Sequence, residues 1–180
     1  MPLTQKLIES KTLTSTASTV TFSNIPNTYD HLIIRSSIRT SRFNDGFADV
    51  SFYFNGNNTG TNYRVGAIQG SATSVAGIPF SNEATQSFHL MSSVPTNISN
   101  YQYYFANSYI LIPNYRSSVV KVGRWESYAP PWSGNTSGIG RFGPVSWAGT
   151  DPITSVSFQD NNSASMQIGS SFQLYGLVNS

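Results

Sequence analysis

Apolar and polar residues alternate with a period of two through much of the chain, and no segment holds the 3.6-residue period of an amphipathic helix. Over residues 29–40, Leu32, Ile34 and Ile38 share one face, while Ile33, Arg35 and Arg39 share the other. In DVSFYFN, residues 49–55, Val50, Phe52 and Phe54 point one way and Ser51, Tyr53 and Asn55 the opposite way. Further strands are predicted over residues 7–13, 18–22, 87–94, 101–112, 117–128, 153–159 and 167–178. In residues 117–128 the valines Val120 and Val122 face away from Lys121.

Turn residues punctuate these runs. Asn24-Ile25-Pro26-Asn27 and Asn44-Asp45-Gly46 separate the early strands. Asn55-Gly56 is a strong hairpin signal, because a type I′ turn requires positive φ at both central positions. It predicts a return strand over residues 62–68. Residues 70–86 are rich in Gly, Ser and Ala and read as a long loop. Residues 129–149 read as a second long loop, carrying one short strand over 142–147. The pattern predicts an all-β chain of about nine or ten strands, folded as a single jelly-roll-like β-sandwich spanning residues 1–180. No repeat of fixed period is visible, which argues against a propeller or a solenoid.

Composition agrees with this reading. Ser, Thr and Asn supply 61 of 180 residues and only 10% are charged, so the polar surface is built from neutral hydroxyls and amides. Such side chains compete with helical hydrogen bonds and suit strands and turns. A hydrophobic fraction of 38% provides the apolar area for a core. The net charge of +2 is dispersed, without the basic stripe expected of a nucleic-acid-binding surface. The chain contains no cysteine, which excludes disulfides and thiolate metal sites. With no apolar signal region and no run of about 18 apolar residues, neither a signal peptide nor a membrane span is expected, and synthesis is placed in the cytoplasm.

Candidate chemistry is sparse. His31 and His89 lack a second ligand at metal-binding spacing. No G-x-S-x-G elbow is present. The eight carboxylates are dispersed, although a sugar-cleaving pair is not visible at the level of sequence. Asp45-Gly46 and Asp160-Asn161-Asn162 could offer oxygen ligands, but neither follows a calcium-loop pattern and both read better as turns. Sequons at Asn57, Asn97, Asn135 and Asn161 are expected from composition alone. No catalytic, metal or cofactor-binding residue is therefore assigned. Trp125, Tyr128, Trp132 and Trp147 cluster within 23 positions. They are candidates for stacking on glycans or anchoring a protein partner, although large aromatics more often plug the core. Arg35, Arg39 and Arg42 are candidates for subunit contact, or for a plainly solvated strand face.

Three segments, in order along the chain, carry a resemblance: LIESKTLTSTASTVTFSNIPNTYDHLIIRSSIR from Leu7, YILIPNYRSS from Tyr109, and ITSVSFQDNNSASMQIGSSFQLYGLV from Ile153. Together they resemble small β-rich structural proteins of tailed bacteriophages, a group common in aquatic phages. The resemblance implies a non-enzymatic component exposed on the virion surface, foremost an outer-capsid decoration (cement) protein. Expected partners are further copies of the chain, as a homotrimer or another symmetric assembly, and the major capsid protein or other virion proteins. The alternative it implies is a tail-fibre or receptor-binding module that recognises host surface glycans through Trp125, Tyr128 and Trp132. Neither alternative involves nucleic acid or a membrane.

Overall fold

The computed structural model describes residues 3–41, 47–71, 74–82, 91–95, 104–129, 138–160 and 164–179. Twelve strands occur among them: β1 (Leu3–Thr12), β2 (Thr19–Phe22), β3 (His31–Ile38), β4 (Phe47–Phe54), β5 (Tyr63–Ser71), β6 (Ser74–Asn82), β7 (Met91–Pro95), β8 (Ala106–Pro113), β9 (Lys121–Ala129), β10 (Ile139–Trp147), β11 (Val156–Asp160) and β12 (Ser171–Asn179). An eight-stranded sheet, in the order β1-β12-β3-β8-β9-β10-β5-β6, faces a four-stranded sheet in the order β2-β11-β4-β7. Every strand pairing is antiparallel.

The strand order contains a jelly roll. With the hairpins β5-β6 and β9-β10 set aside, the remaining strands form β1-β12-β3-β8 over β2-β11-β4-β7, and every connection between consecutive strands crosses from one sheet to the other except those the hairpins replace. This interleaving of early and late strands is the double Greek key of a jelly roll. The two hairpins are insertions, one between β4 and β7 and the other between β8 and β11. They dock edge to edge, β9 on β8 and β10 on β5, and so widen one sheet from four strands to eight.

The core fills the space between the sheets, as the alternation predicts. Leu32, Ile34 and Ile38 of β3 are buried, as are Phe52 and Phe54 of β4, and Phe158 of β11 meets Phe172 of β12 across the sandwich at 5.1 Å between ring centroids. Phe54 reaches across to the Trp147 ring at 5.5 Å, which ties the inserted hairpins to the same core. The paired runs near the end of the chain thus do not form a hairpin with each other. β11 lies between β2 and β4 in the small sheet, and β12 lies between β1 and β3 in the large one.

The Asn55-Gly56 turn corrects the expected hairpin while keeping its local chemistry. Both residues have positive φ, 51° and 70°, and the Asn57 N–H donates to the Phe54 carbonyl at 2.8 Å. Yet the turn sends the chain from β4 in the small sheet to β5 in the large one, so the flanking strands do not pair. Side chains fix this crossing. Asn55 Oδ1 accepts from the backbone N–H groups of Thr154 and Ser155 at 2.8 and 3.2 Å, and its amide donates to the Pro152 carbonyl at 2.9 Å. The Tyr63 hydroxyl donates to the Asn57 carbonyl at 2.9 Å and accepts from the Phe54 N–H at 2.8 Å. Burial keeps this phenol protonated well above the usual tyrosine range. Replacing Asn55 with Ala leaves two backbone donors without their acceptor, and we expect a loss of about 1–3 kcal/mol, read as a lower urea midpoint with unchanged slope.

Both expected loops are shorter than the sequence suggests. Gly70 and Ser71 end β5 and residues 74–82 form β6, while residues 72–73 and 83–86 of the expected 70–86 loop lie outside the described residues. Within 129–149, Ala129 closes β9, residues 130–137 lie outside the described residues, and the short strand expected over 142–147 is the nine-residue β10. Pro144 is tolerated inside a sheet because the ladder between β10 and β5 passes from Phe142↔Ile68 to Val145↔Val65, leaving out the position where a proline could not donate.

Candidate functional site

The inserted hairpins create a broad outer face on the eight-stranded sheet, turned away from the sandwich core. Residues directly opposite in a ladder share a face, so the registers assemble two rows. Arg35 of β3 stands opposite Tyr109 of β8, Tyr109 opposite Glu126 of β9, Glu126 opposite Phe142 of β10, and Phe142 opposite Ile68 of β5. One step along the strands, Asn107 stands opposite Tyr128, Tyr128 opposite Gly140, and Gly140 opposite Gly70. Tyr128 and Phe142 are 54% and 55% exposed, which fixes this face as the solvent face.

Between the two rows lies an open trough of about 680 Å³. The rings of Tyr109, Tyr128 and Phe142 border it, and the bare backbone of Gly70 and Gly140 is its floor. A Cβ built on either glycine would meet nothing within 4 Å. Neither glycine has a positive φ, so neither the fold's sterics nor the turn chemistry requires glycine there. Glycine inside a strand costs about 0.5–1 kcal/mol relative to alanine, and the pair leaves a hollow that any other residue would fill.

Among the polar lining residues are two arginines, Arg35 and Arg141, and one carboxylate. Arg35 lies over the Tyr175 ring at 5.3 Å, and Arg124 lies over the Tyr109 ring at 5.7 Å. Asn107 and Glu126 line the trough from adjacent rows, and Glu126 is the one carboxylate among its lining residues. Among the described residues no group of three His, Cys, Asp or Glu side chains is placed to hold a metal ion. No described helix is long and apolar enough to cross a membrane.

The sequence-derived candidates divide. Tyr128 is exposed and borders the trough. Trp125 and Trp147 are not surface contacts: both are buried, at 2% and 3% exposure, because they sit on the inward face of β9 and β10 against the core. Their indole N–H groups have no hydrogen-bond acceptor among the described residues. Trp132 and Arg42 lie outside the described residues. Arg35 is exposed on the outer face, whereas Arg39 is partly buried with its guanidinium over the Phe105 ring at 5.6 Å, so these two arginines serve separate aromatic neighbours rather than one basic patch.

Other candidates have structural roles. His31 Nδ1 accepts from the Asn114 N–H at 3.1 Å, and His89 lies outside the described residues. Asp160 is buried and its Oδ1 accepts from the Ala164 N–H at 3.2 Å, while Asn161, Asn162, Asp45 and Gly46 lie outside the described residues. Val120 and Val122 face away from Lys121, as the alternation predicts, with Lys121 buried and the two valines exposed. Its amine donates to the carbonyls of Val119 and Thr150 at 2.5 and 3.2 Å and lies over the Trp147 ring at 5.7 Å. Desolvation lowers its pKa, partly offset by Asp151. Tyr109 and Phe142 were not singled out from the sequence, because their convergence with Tyr128 depends on which strands pair.

No family model, curated protein or solved structure matches this chain.

Proposed function

We propose that this chain is a non-enzymatic structural protein of a phage particle, foremost an outer-capsid decoration protein working as a symmetric homo-oligomer such as a trimer, with the outer face of the eight-stranded sheet as its contact surface. The observation that carries the reading is that face itself. It is widened by two inserted hairpins and exposes Tyr128, Phe142 and Ile68 side by side, with the exposed charges of Arg35, Arg64, Arg124 and Glu126 on the same face. The phage resemblance of the N-terminal, central and C-terminal segments supports the setting. The jelly-roll architecture is one that viral capsid and lectin domains share, an analogy at the level of fold alone. Closed homo-oligomers are the commonest assemblies, and a symmetric particle favours them.

A second reading, a tail-fibre or receptor-binding module that recognises host glycans, is favoured by the aromatic trough. Labelled antibody on intact particles and quantitative mass spectrometry of purified virions separate the two. Hundreds of copies per particle are expected for decoration, and a few to a few dozen would place the chain on the tail. Absence from purified virions would overturn both.

A further inference from the structure

We infer that the trough over β8, β9, β10 and β5 is a carbohydrate-binding site for a neutral or weakly charged oligosaccharide of hexopyranose units. The inference rests on reading the outer sheet face as a contact surface, but it does not depend on the chain's place on a particle. The trough's volume of about 680 Å³ falls in the usual range of ligand sites, roughly 300–1,000 Å³. Its borders are aromatic faces and its floor is glycine, so a flat ring can come closer to the sheet here than over any strand position that carries a side chain.

The chemistry of the floor favours sugar over an added peptide strand. The floor belongs to strands inside the sheet: Gly140 is paired with Tyr128 on one side and Gly70 on the other, so its backbone groups are already committed to the ladders. An extended peptide recognises a free sheet edge through main-chain hydrogen bonds, and this floor offers none. What remains for recognition is ring faces and a few side-chain polar groups. The apolar C–H face of a pyranose stacks on Tyr128, Phe142 or Tyr109, and its hydroxyls meet Asn107, Glu126 and Arg35 from the rim. Two arginines, Arg35 and Arg141, and one carboxylate, Glu126, are among the lining residues, a small positive excess that leaves a neutral chain unaffected and suits a weakly acidic one. Tyr109 and Phe142 lie two strand spacings apart, about 10 Å, which is the scale of a disaccharide.

The test uses the full chain on a printed array of neutral and acidic oligosaccharides, followed by calorimetric titration of the strongest hit. Gly140→Val raises the floor with a residue suited to strands, and Tyr128→Ala removes an exposed ring. Each is expected to weaken saccharide binding at least tenfold, while Gly140→Val melts at or above the parent's temperature, a combination that a purely structural role for this glycine would not produce. Binding to no saccharide, or binding that survives both substitutions, would overturn the inference. So would variants that lose self-association or particle attachment while keeping saccharide binding, which would make the trough a polypeptide interface. A chain present on virions that binds no sugar defeats this inference alone, and a sugar-binding chain absent from virions defeats the proposed function alone.

Discussion

Deleting residues 170–180 is expected to leave no soluble, folded protein. The deletion removes β12, which is not a peripheral strand: it pairs with β1 over its whole length on one side and with β3 on the other. Without it β1 has no partner in the sheet, and β3 gains an open edge beside the core. Phe172 and Leu174 are fully buried, and Phe172 is the ring that Phe158 meets across the sandwich. Burying each such side chain stabilises the fold by about 1.5–3 kcal/mol, before the cavity left around Phe158 is counted. Set against a total stability of about 5–15 kcal/mol, the loss of these side chains together with two hydrogen-bonded ladders exceeds what the remainder can withstand. Soluble yield and thermal melting by circular dichroism are the measurements, and a truncated protein that remains soluble and melts cooperatively would show that the sandwich closes without β12.

The importance of β12 was legible in the sequence because its burial is periodic: Phe172, Leu174 and Gly176 alternate with Gln173 and Tyr175, and the former set is buried. The same rule predicted the sandwich and its jelly-roll character. It failed where the strand itself lacks side chains. β6 and β10 carry Gly77, Gly140 and Gly143 among their residues, and a period of two cannot register at positions that have no side chain. Of these glycines only Gly140 lines the trough, beside Gly70 of β5, while Gly143 stands on the other face of β10, opposite the buried Trp125. The Asn55-Gly56 turn failed differently. Positive φ at two successive positions is local and was read correctly, but which strands then pair is decided by the rest of the sandwich. Aromatic clustering misled for a third reason. Trp125 and Tyr128 stand three positions apart on β9 and therefore face opposite ways, one to the core and one to solvent, and clustering along the chain carries no information about the face.

Gly143→Ala is expected to destabilise the protein by about 3 kcal/mol, whereas Gly140→Ala, three positions earlier on the same strand, is expected to be neutral or to stabilise by about 0.5 kcal/mol. A Cβ at Gly143 would stand 2.0 Å from the Gly66 carbonyl oxygen and 2.8 Å from Ala67 Cα. Both are backbone atoms of the neighbouring strand, so no rotamer change relieves the clash, and β10 and β5 must separate. They would separate beside Pro144, where the ladder is already interrupted, and close to Val145 and Trp147 on the core side. At Gly140 the added methyl meets open space, and the strand gains from losing a glycine. Urea unfolding of the two variants against the parent measures the difference. Equal midpoints would mean that β10 and β5 do not approach as closely as this packing requires; a large loss at Gly140 would mean that the trough floor is part of the fold's own packing rather than a surface left open for a ligand.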